Sequence, residues 1–196
     1  YSSYSILNIV LEIVAVVLGF LSVWYSKNNS ILVYPTGMIS TSIYVYLLLR
    51  AGLIGDMLIN GYYFFMSIYG WYYWTRLLNG SYINPISRMN SNENLISILL
   101  FVFAIIFVFV IYFNFNMWNS IVAYIDTITT AIFFVGMWLM ARRKIENWLF
   151  WIIGDIISIP LYSYKGMAIT SFQYLVFTFI ALAGYIAWKK EIIYDK

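Results

Sequence analysis

GDMLINGYYFFMSIYGWYYWTR, residues 55–76, decides how the rest of the chain is read. At helical spacing Asp56, Asn60, Tyr63, Ser67, Gly70 and Trp74 fall on one stripe in steps of three and four, with Trp71 beside Gly70. Leu58, Phe65, Met66 and Tyr72 lie on the other side. A helix this apolar belongs in lipid. A polar-aromatic stripe along it must face water, a ligand or another helix. The stripe is therefore read as one wall of a transport pathway, with a second copy of the same unit supplying the other.

The composition agrees. Of 196 residues, 63% are hydrophobic and only 10% charged, against about a quarter charged in soluble domains. There is no His and no Cys. That excludes disulfides, the usual zinc ligands, a Cys nucleophile and a His proton relay. An intramembrane enzyme would then need a carboxylate pair or a Ser–Lys dyad, and no local spacing offers one, so no catalytic role, metal or cofactor is expected. No charged ring or Gly-rich filter marks a channel. Tyr4–Ser26 is too long and wrongly flanked to be a secretory signal peptide.

Seven stretches are long and apolar enough to cross about 30 Å of hydrocarbon. They run from about Ser5 to Tyr25, Ile31 to Leu49, 55 to 76, Leu95 to Phe113, Trp118 to Met140, Asn147 to Tyr164 and Ile169 to Trp188. The expected fold class is all-α, a polytopic protein with seven transmembrane helices. Residues 79–94 form the one long connector, where Asn90 and Glu93 are placed to cap the fourth helix. Pro160 is expected to break the sixth helix and free the carbonyl of Ile156. Nine of the eleven Lys and Arg residues fall where the first, third, fifth and seventh helices end; Arg50 and Lys165 fall opposite. The positive-inside rule then puts the C-terminus in the cytoplasm and the N-terminus outside.

Shifting the sequence on itself by 114 residues aligns Phe20 with Phe134, Trp24 with Trp138, Gly52 with Gly166, Gly70 with Gly184 and Trp74 with Trp188. Glu12 meets Asp126, acid against acid. Two three-helix units follow, joined by the fourth span, which restores the orientation of the second. The plan is a 3+1+3 parallel repeat: residues 1–78 the first repeat, 79–117 the connector and linking helix, 118–196 the second repeat and tail.

The expected site is a central cavity between the units. The first contributes Asp56, Asn60, Tyr63 and Trp71 of the third helix with Thr41 and Tyr44 of the second. The second unit contributes Asp155, Ser158 and Tyr162 of the sixth helix and Gln173, Tyr174, Phe177 and Trp188 of the seventh. Amides and hydroxyls suit a polar ligand, Trp and Tyr faces suit a flat or cationic ring, and carboxylates accept from ribose-type hydroxyls. Asp155 lies about 12 Å along its helix, well inside the hydrocarbon. Beside this stands the plainer reading. Trp24, Trp118, Trp138 and Trp148 serve as interfacial anchors, Ser and Thr bond back to their own helices, and Gly70 and Gly184 permit close packing.

The run YGWYYW (Tyr69–Trp74), after Ala51-Gly52-Leu53 and Asp56, resembles the PnuC family of vitamin transporters. So does IGDIISIPLYSYKG (Ile153–Gly166), with Gly184-Tyr185 and Trp188-Lys189-Lys190 downstream. The helix plan is also similar to the SWEET sugar facilitators, whose aromatic motifs differ. Resemblance to PnuC implies uptake of nicotinamide riboside, an NAD precursor, across a bacterial inner membrane. Sister members carry riboflavin or thiamine. It further implies facilitated diffusion, trapping by cytosolic phosphorylation, and a homotrimer, with no nucleic-acid partner.

Overall fold

The structure is a computed structural model that describes residues 6–50, 54–78, 81–115, 121–164 and 168–194. Ala51, Gly52, Leu53, Trp118, Lys165 and Gly166, singled out above, lie outside the described residues. Long runs of Leu, Ile, Val and Phe satisfy their backbone groups internally by coiling. Among the described residues they form seven helices: α1 (Ile6–Lys27), α2 (Val33–Arg50), α3 (Ile54–Thr75), α4 (Ser91–Asn114), α5 (Ile121–Ala141), α6 (Asn147–Tyr164) and α7 (Ala168–Tyr194). By length and composition α1, α4, α5 and residues Ser171–Ile192 of α7 can each cross a membrane. For α2, α3 and α6, whose faces carry Ser, Thr, Tyr, Asn and Asp, the expectation of a span rests on length rather than apolarity.

The structure changes three expectations. Pro160 does not end α6, which runs through it to Tyr164; packing against α7 spans the proline, with Ser171 Oγ donating to the Ile159 carbonyl at 2.8 Å. The connector is not all loop: β1 (Leu77–Leu78) pairs antiparallel with β2 (Ser81–Tyr82), Leu77 opposite Tyr82. The charged tail continues α7 beyond Trp188 to Tyr194.

The chain divides into two compact units, Tyr1–Ile83 and Asn84–Lys196. In the first, α1 ends on Asn29 in the left-handed region (φ 52°). The amides of Asn28, Asn29 and Ser30 donate to the carbonyls of Trp24, Ser26 and Tyr25 at 3.3, 3.0 and 2.9 Å. This closure satisfies the last free carbonyls of the helix, and Asn tolerates the conformation better than most residues. Helix α2 returns along α1 through two serines: Ser40 Oγ donates to the Ala15 carbonyl at 2.7 Å and Ser22 Oγ to the Val33 carbonyl at 2.8 Å. Helix α3 then packs on α2 by a ring laid over a glycine. Tyr34 occupies the space a Cβ at Gly70 would need. The Tyr34 ring meets Trp74 edge-on, with centroids 5.1 Å apart and planes at 86°.

The second unit repeats these contacts at positions 114 residues later. Helix α5 closes on Arg143 (φ 54°), with the amides of Arg142, Arg143 and Lys144 donating to Trp138, Met140 and Leu139 at 3.1, 3.0 and 2.9 Å. A long side chain is unusual in the left-handed region; here Arg143 Nη1 is tied to the Asn84 carbonyl at 3.0 Å. Helix α7 packs on α6 with Trp148 over Gly184, and Trp148 meets Trp188 edge-on at 5.5 Å and 87°. Trp148 is thus a core residue, 1% exposed, and not an interfacial anchor. Trp24 is half exposed, with Lys27 Nζ 3.7 Å above its ring, as an anchor should be.

Helix α4 belongs to the second unit, where Phe107 meets Phe134 of α5 at 6.3 Å. Its start is a full capping box of Asn90 and Glu93, as the sequence indicates. The Glu93 carboxylate also accepts from Arg142 Nη2 at 3.1 Å and Lys144 Nζ at 3.0 Å. The segment before α4 is fastened to the α5–α6 turn by Ser87 N–H to the Arg143 carbonyl (3.1 Å) and Ile145 N–H to the Ser87 carbonyl (3.0 Å).

Gly70→Ala and Gly184→Ala each drive a methyl group into a buried ring, Tyr34 or Trp148. Each is expected to lower stability by about 1–3 kcal/mol, read as a fall in melting temperature in detergent. Gly61→Ala, whose added methyl meets nothing within 4 Å, is expected to be neutral or slightly stabilising.

Candidate functional site

The second unit carries an aromatic cluster built by all three of its repeat helices. Phe133 of α5 lies between Trp151 of α6, stacked at 5.5 Å and 27°, and Tyr174 of α7, parallel to within 7° at 6.2 Å. Tyr174 leans on Tyr162 of α6 at 5.1 Å. Two glycines make room. A Cβ at Gly154 would overlap the Phe133 ring, and one at Gly136 would sit 3.4 Å from Trp151 Cε2. Trp151, Asp155, Ser158 and Tyr162 are spaced at four, three and four along α6 and share one stripe. Two polar residues therefore sit between the two α6 rings of the cluster. Asp155 is 3% exposed and Ser158 1% exposed. Ser158 Oγ is buried with no hydrogen-bond partner among the described residues.

The other expected residues of this unit divide. Gln173 is half-buried one residue before Tyr174, with no side-chain hydrogen bond among the described residues. Phe177 is half-buried one turn beyond. Trp188 is not brought to the cluster; it is fully buried against Trp148. Asp126 is half-buried on α5, and its carbonyl accepts from Thr129 Oγ1 at 3.1 Å.

In the first unit the polar residues are mostly engaged with their own helices. Asn60 Nδ2 donates to the Asp56 carbonyl at 2.9 Å, Thr41 Oγ1 to the Gly37 carbonyl at 2.9 Å, and Ser67 Oγ to the Tyr63 carbonyl at 2.8 Å. Asp56 is exposed in the first turn of α3, where a carboxylate suits the helix dipole. Tyr63 and Tyr44 are half-buried, and Trp71 is 39% exposed.

Sequence reasoning passed over Phe133 and Gly154. The signal lay in the shift by 114. The mates of Phe133, Trp151, Tyr162 and Tyr174 are Gly19, Gly37, Leu48 and Asn60. Where the second unit holds stacked rings, the first holds two glycines, a leucine and an amide. In the first unit, added methyls at Gly19 and Gly37 would meet Ser40 Oγ at 3.4 Å and Ser22 Oγ at 3.0 Å. The helices cross at equivalent places in both units, but only the second fills the crossing with aromatic surface.

The pattern of the nicotinamide mononucleotide transporter family matches residues 9–190, and the chain belongs to that family. It is 24% identical to the nicotinamide riboside transporter PnuC of Escherichia coli over 208 aligned positions, covering 91% of this chain and 84% of that protein. It is 22% identical to the riboflavin/roseoflavin transporter RibM of Streptomyces davaonensis, over 63% of this chain and 58% of that one. Among solved structures, a crystal structure of the vitamin B3 transporter PnuC shares the fold, with a TM-score of 0.70 and 23% identity, over 95% of this chain and 83% of that one. The chain is thus a multi-helix membrane transporter by family, and its seven helices follow the PnuC architecture.

Gly154 and Phe133 should be energetically coupled. Gly154→Ala displaces the Phe133 ring and is expected to cost about 1–3 kcal/mol. Adding Phe133→Leu should recover part of that loss, with a coupling of about 0.5–3 kcal/mol in a double-mutant cycle of melting measurements. Strict additivity would mean the two side chains do not meet.

Proposed function

We propose that this chain carries nicotinamide riboside across the bacterial inner membrane by facilitated diffusion with alternating access, and that cytosolic phosphorylation traps the cargo. The observation that carries this reading is the family match across residues 9–190. The Escherichia coli relative, aligned along most of both chains, is named for nicotinamide riboside. The family description names the mononucleotide, but the cluster favours the riboside. Asp155 shares the α6 stripe of Trp151 and Tyr162, and the sequences of α5 and α6 contain no Lys or Arg. A phosphate would meet a carboxylate there and no cation, whereas ribose hydroxyls can donate to that carboxylate.

In this reading Trp151, Tyr162 and Tyr174 offer faces to the nicotinamide ring, with Phe133 packed between Trp151 and Tyr174 as their support, and Asp155, Ser158, Gln173 and Phe177 complete the second unit's contribution. For the first unit the corresponding proposal is Asp56, Asn60, Tyr63 and Trp71 of α3 with Thr41 and Tyr44 of α2. All seven helices are proposed to cross the membrane as a 3+1+3 parallel repeat of SWEET-like plan, with the C-terminus cytoplasmic. Support for the repeat comes from the matching Asn29 and Arg143 helix ends and from the matching ring-on-glycine contacts. A homotrimer is the proposed assembly. Riboflavin is the second reading, favoured by the partial match to RibM.

The test is uptake of labelled nicotinamide riboside into proteoliposomes. Accumulation to the external concentration and no further is expected, and dissipating proton and sodium gradients should leave the initial rate unchanged. Uptake that collapses with either gradient would contradict facilitated diffusion.

A further inference from the structure

Among the described residues Asp155 is in no ion pair. The side chain is 3% exposed, and among the described residues it makes no hydrogen bond or ion pair. Across from it, Gly154 touches Phe133 of α5. One turn to either side of that contact, residues 129–137 of α5 contain no ionisable group; the one acid further along is Asp126. On α7, between Ser171, which bonds Ile159, and Gly184, which lies against Trp148, the one titratable side chain is Tyr174. Helix α4, packed on α5, has Tyr112 in its apolar length, and its Glu93 is already paired with Arg142 and Lys144. No Lys or Arg occurs in residues 121–141, 147–164 or 168–188.

An ionised carboxylate in an apolar interior is costly unless a positive charge lies beside it, and intramembrane carboxylates that persist tend to mark function. Among the described residues Asp155 is paired with no such charge, and Trp151 and Tyr162, whose ring faces attract cations, share its stripe of α6. We infer that Asp155 is the counter-charge for a positively charged ring, so that the second unit selects its ligand by charge as well as by flatness. The inference rests on the nicotinamide riboside reading, whose ring is a quaternary pyridinium. The reduced dihydropyridine riboside has nearly the same outline and no charge. Thr41 is the mate of Asp155 in the first unit, so the counter-charge is built into one unit alone.

The experiment is calorimetric titration of the full chain in detergent with nicotinamide riboside and with its reduced, uncharged form. Wild type should bind the cationic riboside more tightly by about tenfold or more, the usual worth of a charge-assisted contact. Asp155→Asn should bring the two affinities within a few-fold of each other by weakening the cationic ligand alone, with an unchanged melting temperature. Asp155→Glu should keep the preference. Equal loss of both ligands in Asp155→Asn, or no change in either, overturns the counter-charge role and leaves the transport reading standing. Equal wild-type affinity for the two forms does the same. Failure of wild type to bind either riboside overturns the counter-charge together with the reading it rests on.

Discussion

An aromatic ring packed against a glycine holds the last two helices of each unit together. Tyr34 on Gly70 and Trp148 on Gly184 bring helices close enough for a second ring, Trp74 or Trp188, to close edge-on. In lipid there is little hydrophobic gain from helix association, so close packing and ring geometry carry more of the burden. The contact also sets the register of α3 on α2 and of α7 on α6. A slip by one residue would bring side chains onto the ring. The polar stripes beside these contacts can be placed only because the register is fixed.

Given a common frame, the units differ in what fills it. At one crossing the first unit pairs Gly19 with Ser40, and the second pairs Phe133 with Gly154. At the next, Ser22 with Gly37 becomes Gly136 with Trp151. The glycine changes helix each time, so the backbones still approach while the occupant changes from a hydroxyl to a large ring. One unit keeps small residues and backbone-bonded serines; the other gains a stacked surface, with a buried carboxyl on the α6 stripe that carries two of its rings.

Much of this was legible from residues alone. The seven apolar runs appear as helices, the cap at Asn90 and Glu93 forms, and Gly70 and Gly184 serve packing as their recurrence implied. Helix ends were less legible, because the left-handed closures at Asn29 and Arg143 carry no Gly signal, and the charged tail of α7 is equally compatible with helix or coil. Trp148 was misread because span-end tryptophans are ordinarily anchors, and only the fold reveals that Gly184 draws it inward. Pro160 was misread because a proline in a packed helix loses one hydrogen bond without ending the helix. The aromatic cluster was hidden because its members are far apart in sequence and look like ordinary apolar residues one helix at a time. Their differences from the mates 114 residues away were the available clue.

Charge placement supplies the remaining constraint. Apart from Arg88 and Lys165, the bases of the second unit fall at the α5–α6 turn, where Glu93 binds two of them, and at the end of α7; none falls in residues 121–141, 147–164 or 168–188. The most direct measurement is a calorimetric binding panel of nicotinamide riboside, riboflavin, thiamine and a neutral sugar on the purified full chain. Saturable binding of nicotinamide riboside, with the neutral flavin and the sugar far weaker, is the expected result. Binding of the sugar alone, or of riboflavin in preference to nicotinamide riboside, would contradict it.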